Sequence, residues 1–156
     1  MRKFLIGVAL VVALPSSIVL AQEDGLSERN AEKAVSVRQS IFKLAGWNMG
    51  SLASMARGRT PYDAAFIESR AERMASLATM IPDAFAPDTR AFDIETEAKE
   101  KIWEDLEAFN ARAEDMAAAA EALKTLAGGS DADAAKAAIG DLAATCKACH
   151  KTFRVK

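Results

Sequence analysis

The feature that most constrains this chain is the pentapeptide Cys146-Lys147-Ala148-Cys149-His150. C-x-x-C-H is the pattern through which a c-type haem is attached. On a helix, residues three and four positions apart lie on one face, so both thiols and the imidazole project together. The thiols can then bond to the vinyl carbons on one porphyrin edge, while the imidazole reaches the iron. The pentapeptide predicts one covalent haem c, held by Cys146 and Cys149, with His150 as axial iron ligand.

Three other interpretations of the cysteines remain open from the sequence. A thioredoxin-like redox pair requires a βαβ setting, and no strand pattern lies nearby. A structural zinc site requires four ligands, and the chain contains two cysteines and one histidine in all, so a carboxylate would have to complete the set. A disulfide between cysteines one helical turn apart has poor geometry. Haem attachment is favoured over all three.

The first residues have the pattern of an export signal. The basic pair Arg2-Lys3 precedes a short apolar stretch, Phe4 to Leu14, and Val19-Leu20-Ala21 supplies the small or apolar residues that a signal peptidase recognises. We expect residues 1–21 to be removed, leaving 22–156 as one exported domain in the periplasm. The apolar stretch is too short for a membrane span, and no later segment is apolar enough to be one.

Charge and length exclude some functional classes. The chain has 22 acidic and 20 basic side chains, a formal net charge of −2, and loss of Arg2-Lys3 makes it more negative. No basic patch with interleaved aromatic residues indicates nucleic-acid binding. The acidic balance favours solubility but selects no particular partner. The mature length is typical of a single domain with a proper core.

The alternation of Ala-, Leu- and Glu-rich segments with proline and glycine breaks predicts four helices. The first follows Asp24-Gly25, is capped by Ser27, and runs to about Arg57 with Gly58 at its end. Inside it, Gly46 and Gly50 lie one turn apart. We interpret this glycine pair as a place where another helix approaches closely.

The second helix is expected to open at Thr60-Pro61-Tyr62-Asp63, with Thr60 as the capping residue, and to continue to about Met80, where Pro82 ends it. Residues 83–95 form the longest connection.

Thr96 with Glu97 is expected to cap the third helix, which runs to about Ala127 and stops at Gly128-Gly129. Ser130 or Asp131 caps the fourth, which carries the haem motif. Four helices separated mainly by short breaks predict an all-α, antiparallel, up-down-up-down four-helix bundle.

The chain resembles the cytochrome c prime family, the four-helix class of c-type cytochromes, over nearly the whole mature length. The resemblance depends on a motif near the C-terminus rather than the N-terminus, and on several dispersed matches in the same order. These matches are Arg38-Gln39-Ser40, Pro61-Tyr62-Asp63-Ala64-Ala65, Ile102-Trp103 and the Phe153-Arg154 that follows the motif.

The resemblance implies that His150 is the only axial ligand supplied by the protein. It implies that Arg38 and Gln39 contact the haem and its propionates, where a charge-assisted bond to a buried anionic edge is favourable. It also places Arg154 beside the axial histidine. Glu97 is a weaker candidate for lining the same haem edge.

Aromatic residues are expected to shape the rest of the haem environment. Trp103 and Phe109 are predicted to pack against haem and core rather than take part in chemistry. Phe42 occupies the position at which low-spin relatives of the family place a methionine. Phenylalanine cannot donate to iron, so the resemblance implies that Phe42 covers the distal face of a five-coordinate, high-spin iron. An ordinary core role for Phe42 remains the alternative, and Met49, two turns further on, is the spare ligand.

The leading functional hypothesis is a periplasmic haem protein, not an enzyme, that binds NO and CO and transfers single electrons to small redox partners. The alternative is a low-spin electron carrier with methionine as sixth ligand. A weak haem peroxidase is the third hypothesis, and it is disfavoured because no second histidine or distal arginine is evident to handle peroxide. The family resemblance and the Gly46/Gly50 surface further imply a homodimer formed through the first two helices.

Overall fold

A computed structural model describes residues 25–129 and 131–155. The predicted signal peptide and its cleavage site lie outside these residues. Within the described residues, four long helices form an antiparallel bundle and a short helix precedes the third of them, which confirms the predicted all-α class. In chain order the helices are α1 (Glu28–Ala56), α2 (Ala64–Phe85), α3 (Lys101–Glu104), α4 (Leu106–Ala127) and α5 (Ala132–Phe153).

The first helix begins and ends where the sequence predicts. Ser27 has an extended backbone, and its side chain accepts a hydrogen bond from the Asn30 N–H, as a helix N-cap does. The helix ends at Ala56, and Gly58 has a φ of 67°. Glycine adopts this left-handed conformation without the steric cost that a Cβ would bring.

The second helix differs from the prediction at both ends. Its cap is Asp63 rather than Thr60, with Asp63 Oδ1 accepting from the Phe66 N–H at 2.9 Å. The helix also continues through Pro82 to Phe85, so the predicted end near Met80 is wrong. Proline removes one backbone donor, but burial of Ile81 and Phe85 on either side holds the last turn in place.

The third predicted helix begins later and is interrupted. Its first turn is α3, and the chain breaks at Asp105, whose φ of −145° and ψ of 62° are not helical. Asp105 then caps α4, accepting from the Ala108 N–H at 3.3 Å, which is why the break is stable. Thr96 and Glu97 do not cap a helix, so the connection after α2 extends over residues 86–100.

The ends around the last two helices agree with the sequence. α4 ends at Ala127, with Gly128 as its C-cap. Of the two alternatives for the last cap, Asp131 serves, because its Oδ1 accepts from the N–H groups of Asp133 and Ala134 at 3.0 and 2.9 Å. Each of these bonds satisfies a donor that the first turn of a helix would otherwise leave open.

The core runs along the bundle between α2 and α4, which pack together most extensively, whereas α1 and α5 contact each other far less. Full burial of a large apolar side chain contributes roughly 1.5–3 kcal/mol, so the buried side chains of all the helices together stabilise the bundle. The largest fully buried side chains are Leu52, Ile67, Met74, Ile102, Leu123, Ile139 and Leu142.

The glycine pair of α1 faces away from the rest of the described chain. A Cβ at Gly46 or Gly50 would have no heavy atom within 4 Å. The expected close approach of another helix therefore does not occur among the residues that the structure describes. Both glycines instead line an open cleft together with Trp47, Tyr62 and Phe66.

Across the described ranges, no helix combines the length and hydropathy that a membrane crossing would require.

Candidate functional site

The last helix presents the three residues of the haem motif. Cys146, Cys149 and His150 all lie within α5, which stays helical to Phe153. Both cysteines are free and half-buried, and Cys149 packs against the hydrophobic core. The Cys146 thiol donates to the carbonyl of Leu142 at 3.6 Å, and His150 is exposed. The helix therefore offers two neighbouring thiols and an accessible imidazole, as the spacing predicts.

The protonation of these groups follows from their surroundings. Burial raises the pKa of Cys149 to about 11, and the adjacent Cys146 adds to the shift. Burial also raises the pKa of Cys146. Reactive redox thiols have lowered pKa values, so these two lack the character of a redox pair. Burial lowers the pKa of His150, with Arg154 adding to the shift and Glu97 opposing it, which favours the neutral imidazole that binds iron.

The competing interpretations of the cysteines gain no support. Within residues 25–129 and 131–155, no group of three or more His, Cys, Asp or Glu side chains is placed to hold a metal ion. The motif lies in a helix, with an isolated bridge between Ala98 and Arg154 as the nearest β contact. The zinc interpretation thus lacks a ligand set and the thioredoxin interpretation lacks its βαβ setting.

The donor set and its surroundings fit a haem. Two unpaired thiols on one helix face match the two attachment points of a c-type haem, and His150 supplies the axial nitrogen. Beside the motif, Phe109 and Phe153 form an apolar wall, with ring centroids 5.3 Å apart. α1 packs only loosely against α5, and on α1 the Phe42 side chain is 39% exposed, so an apolar ring is available to a flat apolar group.

An aromatic chain links Phe42 to the end of α5. The ring centroid of Phe42 lies 6.1 Å from that of Phe85, and Phe85 lies 4.7 Å from Phe109. Phe109 in turn contacts Phe153, and Trp103 lies 6.0 Å from Phe85. The predicted packing of Trp103 and Phe109 against the core is therefore observed, and their predicted contact with haem stays a prediction. Phe85 is the residue that the sequence analysis missed, because it falls beyond the assumed helix end.

Arg38 is a buried arginine, not a solvated one. Its side chain is 2% exposed, and all three guanidinium nitrogens donate hydrogen bonds, Nε to the carbonyl of Ala84 in the last turn of α2 and the other two to the segment after α2. Gln39 Nε2 donates more weakly, at 3.5 Å, to the carbonyl of Glu95 in the same connection. Both residues thus contact the 86–100 connection, and their contacts with haem propionates stay predictions.

Arg154 lies at the C-terminal end of α5, where its charge acts on the pKa of His150. Its guanidinium forms a salt bridge with Glu97, with 2.6 Å between Nη2 and Oε2. Glu97 is therefore engaged by Arg154, and its expected role at the haem edge stays a prediction. Met49, the spare ligand, is partly buried and packs against the core.

Comparison with known proteins gives a consistent result. A family model described as "Cytochrome C'" matches residues 33–154. The cytochrome c prime of Cereibacter sphaeroides is 38% identical over 158 residues, covering 100% of this chain and 99% of the relative.

Two solved structures are similar in fold as well as in sequence. One is a nitric oxide complex of a mutant cytochrome c prime from Alcaligenes xylosoxidans, with a TM-score of 0.72, 33% identity, and coverage of 81% of this chain and 97% of that one. The other is a cytochrome c prime described as having an unusual ligand-controlled dimer dissociation. It has a TM-score of 0.72, 31% identity, and coverage of 85% and 99%.

Proposed function

The chain belongs to the cytochrome c prime family, and we propose that it is a periplasmic haem protein that binds NO and CO at a five-coordinate, high-spin iron and transfers single electrons. Proteins of this family bind haem c covalently, and α5 carries the C-x-x-C-H motif that such attachment requires. The observation that carries the proposal is that Phe42, a side chain that cannot donate to iron, packs beside Phe85 with its ring partly uncovered.

Each residue of the site has a distinct task. Cys146 and Cys149 would hold the haem through thioether bonds, and neutral His150 would supply a nitrogen ligand to its iron. The haem iron, when bound, supplies the coordination position at which a diatomic gas is held. Phe42 would cover the position where a gas ligand binds, would exclude water from it and would offer no hydrogen-bond donor. An apolar cover of this kind favours small neutral ligands such as NO and CO over polar bound oxygen.

Similar proteins support the proposed binding of NO. A similar protein at 33% identity has been solved with nitric oxide bound. The helical bundle is shared with the family, and the C-x-x-C-H motif and Phe42 are read from this chain's own sequence. NO binding by this protein therefore follows from family membership together with the character of Phe42.

The alternative functions are less well supported. For a low-spin carrier, Met49 would have to leave its contacts with the hydrophobic core in order to bind iron. For a peroxidase, a distal acid–base residue is needed. Arg38 is the arginine one turn from Phe42, but each of its three nitrogens already donates to an oxygen of residues 84–89, so it is not placed to act on peroxide.

Absorption spectra of the purified holoprotein test the proposal. We expect a high-spin spectrum in both oxidation states, without the band near the red edge of the visible that methionine ligation gives to oxidised haem. Adding NO or CO to the reduced protein should change the spectrum at once. A low-spin spectrum that CO leaves unchanged would instead identify the six-coordinate carrier.

We also propose that the protein forms a homodimer through α1 and α2. Large apolar side chains are exposed along this side, and Trp47 is 58% exposed beside the open glycine pair. Contiguous exposed apolar surface marks interaction sites, and most soluble homo-oligomers are symmetric dimers. One relative is described as a dimer whose dissociation is ligand-controlled. The exposed set consists of Val37, Leu44, Trp47 and Met80.

Periplasmic location rests on the export signal of residues 1–21. Mass spectrometry of the native protein should show Gln22 as the first residue, and cell fractionation should recover the haem protein with periplasmic markers. Recovery with an intact start at Met1 would contradict export.

A further inference from the structure

Side chains from two other helices hold the end of α2. The last four carbonyl groups of a helix lack partners within that helix. Here they belong to residues 82–85, and each has a donor. The Ala86 N–H donates to the carbonyls of residues 82 and 83. Arg38 Nε donates to the carbonyl of Ala84 at 2.8 Å, and Trp103 Nε1 donates to the carbonyl of Phe85 at 3.0 Å. The C-terminus of α2 is thus completed by α1 and α3.

The same arginine also donates hydrogen bonds to residues that follow the end of α2. Arg38 Nη2 donates to the carbonyl of Pro87 at 2.6 Å, and Nη1 donates to Thr89 Oγ1 at 2.8 Å. Trp103 Nε1 also reaches the Pro87 carbonyl, at 3.2 Å. We call this arrangement the Arg38 clamp: Arg38 and Trp103 with their acceptors on Ala84, Phe85, Pro87 and Thr89.

The positive charge of Arg38 is stabilised mainly by the carbonyl dipoles at the end of α2 and by the faces of two aromatic rings. The guanidinium carbon of Arg38 lies 4.6 Å from the ring centroid of Phe85 and 5.1 Å from that of Trp103. Burial lowers the pKa of Arg38, and the carboxylate of Asp88, which is itself hydrogen-bonded to Arg90, opposes this shift. Cations are favoured at helix C-termini and over aromatic rings, so a buried arginine is stable here.

The clamp acts on Phe42 through one shared neighbour. Arg38 and Phe42 lie one turn apart on α1, so their side chains lie on the same face. Phe85 contacts both of them, because it lies under the guanidinium and 6.1 Å from the Phe42 ring. Any displacement of Phe42 towards α2 therefore requires Phe85 to move, and the clamp fixes Phe85.

We propose that Arg38 is a positioning residue for gas binding, which holds Phe85 against Phe42 and so sets how readily Phe42 moves aside for a neutral diatomic ligand. The inference rests on the proposed distal role of Phe42. It is separate from the expected contact with haem propionates, because a guanidinium has five N–H groups and the clamp uses three.

Two variants and a matched control test the clamp. Thr89→Val removes one acceptor of Arg38 while keeping the side-chain shape, and Trp103→Phe removes the indole donor while keeping an aromatic ring. Thr79→Val makes the same chemical change on the exposed side of α2, where Thr79 Oγ1 donates only to the Ser76 carbonyl. The holoproteins are compared by stopped-flow CO binding in the reduced state and by amide hydrogen exchange.

We expect CO to bind about tenfold faster in Thr89→Val and Trp103→Phe, a change equivalent to about 1.4 kcal/mol in the barrier. Amide exchange over residues 84–92 should accelerate in the same two variants, while Thr79→Val keeps the parental behaviour in both measurements. Arg38→Lys should show the same effects more strongly, because an ammonium group cannot make three bonds in this planar arrangement.

Two outcomes would overturn the inference. If exchange accelerates over residues 84–92 but CO binds at the parental rate, the clamp only stabilises the fold. If Arg38→Lys alone changes CO binding, Arg38 acts on the haem directly rather than through Phe85. The proposed function fails in a different way, since a low-spin parent protein that does not bind CO would contradict it before any variant is compared.

Discussion

The carboxylate of Glu97 lies 2.6 Å from a guanidinium nitrogen of Arg154, which joins the 86–100 connection to the end of α5. Two backbone hydrogen bonds reinforce this contact: Val155 N–H donates to Glu97 at 2.8 Å, and Lys99 N–H donates to Phe153 at 3.0 Å. The salt bridge is exposed to solvent, whereas the Phe153 ring beside it is buried. The apolar contact should therefore hold the end of the haem helix more firmly than the ion pair.

This difference predicts unequal effects on stability. Glu97→Gln should lower the free energy of unfolding by less than about 1 kcal/mol, as expected for an exposed ion pair. Phe153→Ala should lower it by about 3–5 kcal/mol, because it leaves a cavity beside Phe109. Denaturant titration of the two holoproteins measures both free energies of unfolding. Equal losses of stability would show that the ion pair holds the end of α5 as firmly as the buried Phe153 ring.

The motif residues should separate attachment from ligation. His150→Ala removes the axial nitrogen but leaves both thiols, so the intact protein should still carry the mass of haem while its iron spectrum changes. Cys146→Ser and Cys149→Ser should weaken or abolish attachment and, with it, much of the stability that a bound cofactor adds to the native state. Haem-free protein after correct maturation of His150→Ala would show that attachment also depends on the imidazole.

Phe42 should control access to the iron. Phe42→Ala removes the ring that must move before a ligand binds, so CO and NO should bind faster and more tightly than in the parent protein. Phe42→Met should act in the opposite direction, because its thioether can bind iron and shift part of the protein to six-coordinate, low-spin iron. Stopped-flow CO binding distinguishes the cases. If Phe42→Ala binds CO at the parental rate, the Phe42 ring is an ordinary core side chain that does not control access to the iron.

The dimer surface can be tested without disturbing the monomer. Gly46→Leu places a side chain where the described chain has nothing within 4 Å, so it should raise the monomer fraction in sedimentation without unfolding the bundle. Gly140→Leu is the matched control, since Gly140 is also inside a helix with nothing within 4 Å. Equal sedimentation of both variants would place the interface elsewhere.

Local signals predicted much of the fold because the interactions behind them are local. Ser27, Asp131, Gly58 and Gly128 mark helix ends through contacts within a few residues, and all four lie where expected. The haem motif is equally local, because one helix turn brings its three residues together. The composition and the helical periodicity of apolar residues are then enough to predict a four-helix bundle.

The errors arise where distant contacts override a local signal. Pro82 ordinarily ends a helix, but burial of Phe85 and donors from Arg38 and Trp103 complete one more turn. Arg38 meets its acceptors 46 to 51 residues away in sequence, so no local pattern reveals the clamp. Asp105 interrupts the third predicted helix because it caps α4, and the apolar pattern of the sequence, which continues through this position, does not predict the break.

The burial of Arg38 has a consequence for ionic strength. Salt screens exposed charges strongly and buried ones much less. The 86–100 connection is held at its start by the buried Arg38 contacts and near its end by the exposed Glu97–Arg154 pair. High salt should therefore weaken the attachment of the connection to α5 while leaving its attachment to α1 intact, so that added salt raises mobility at the end of the connection nearest His150.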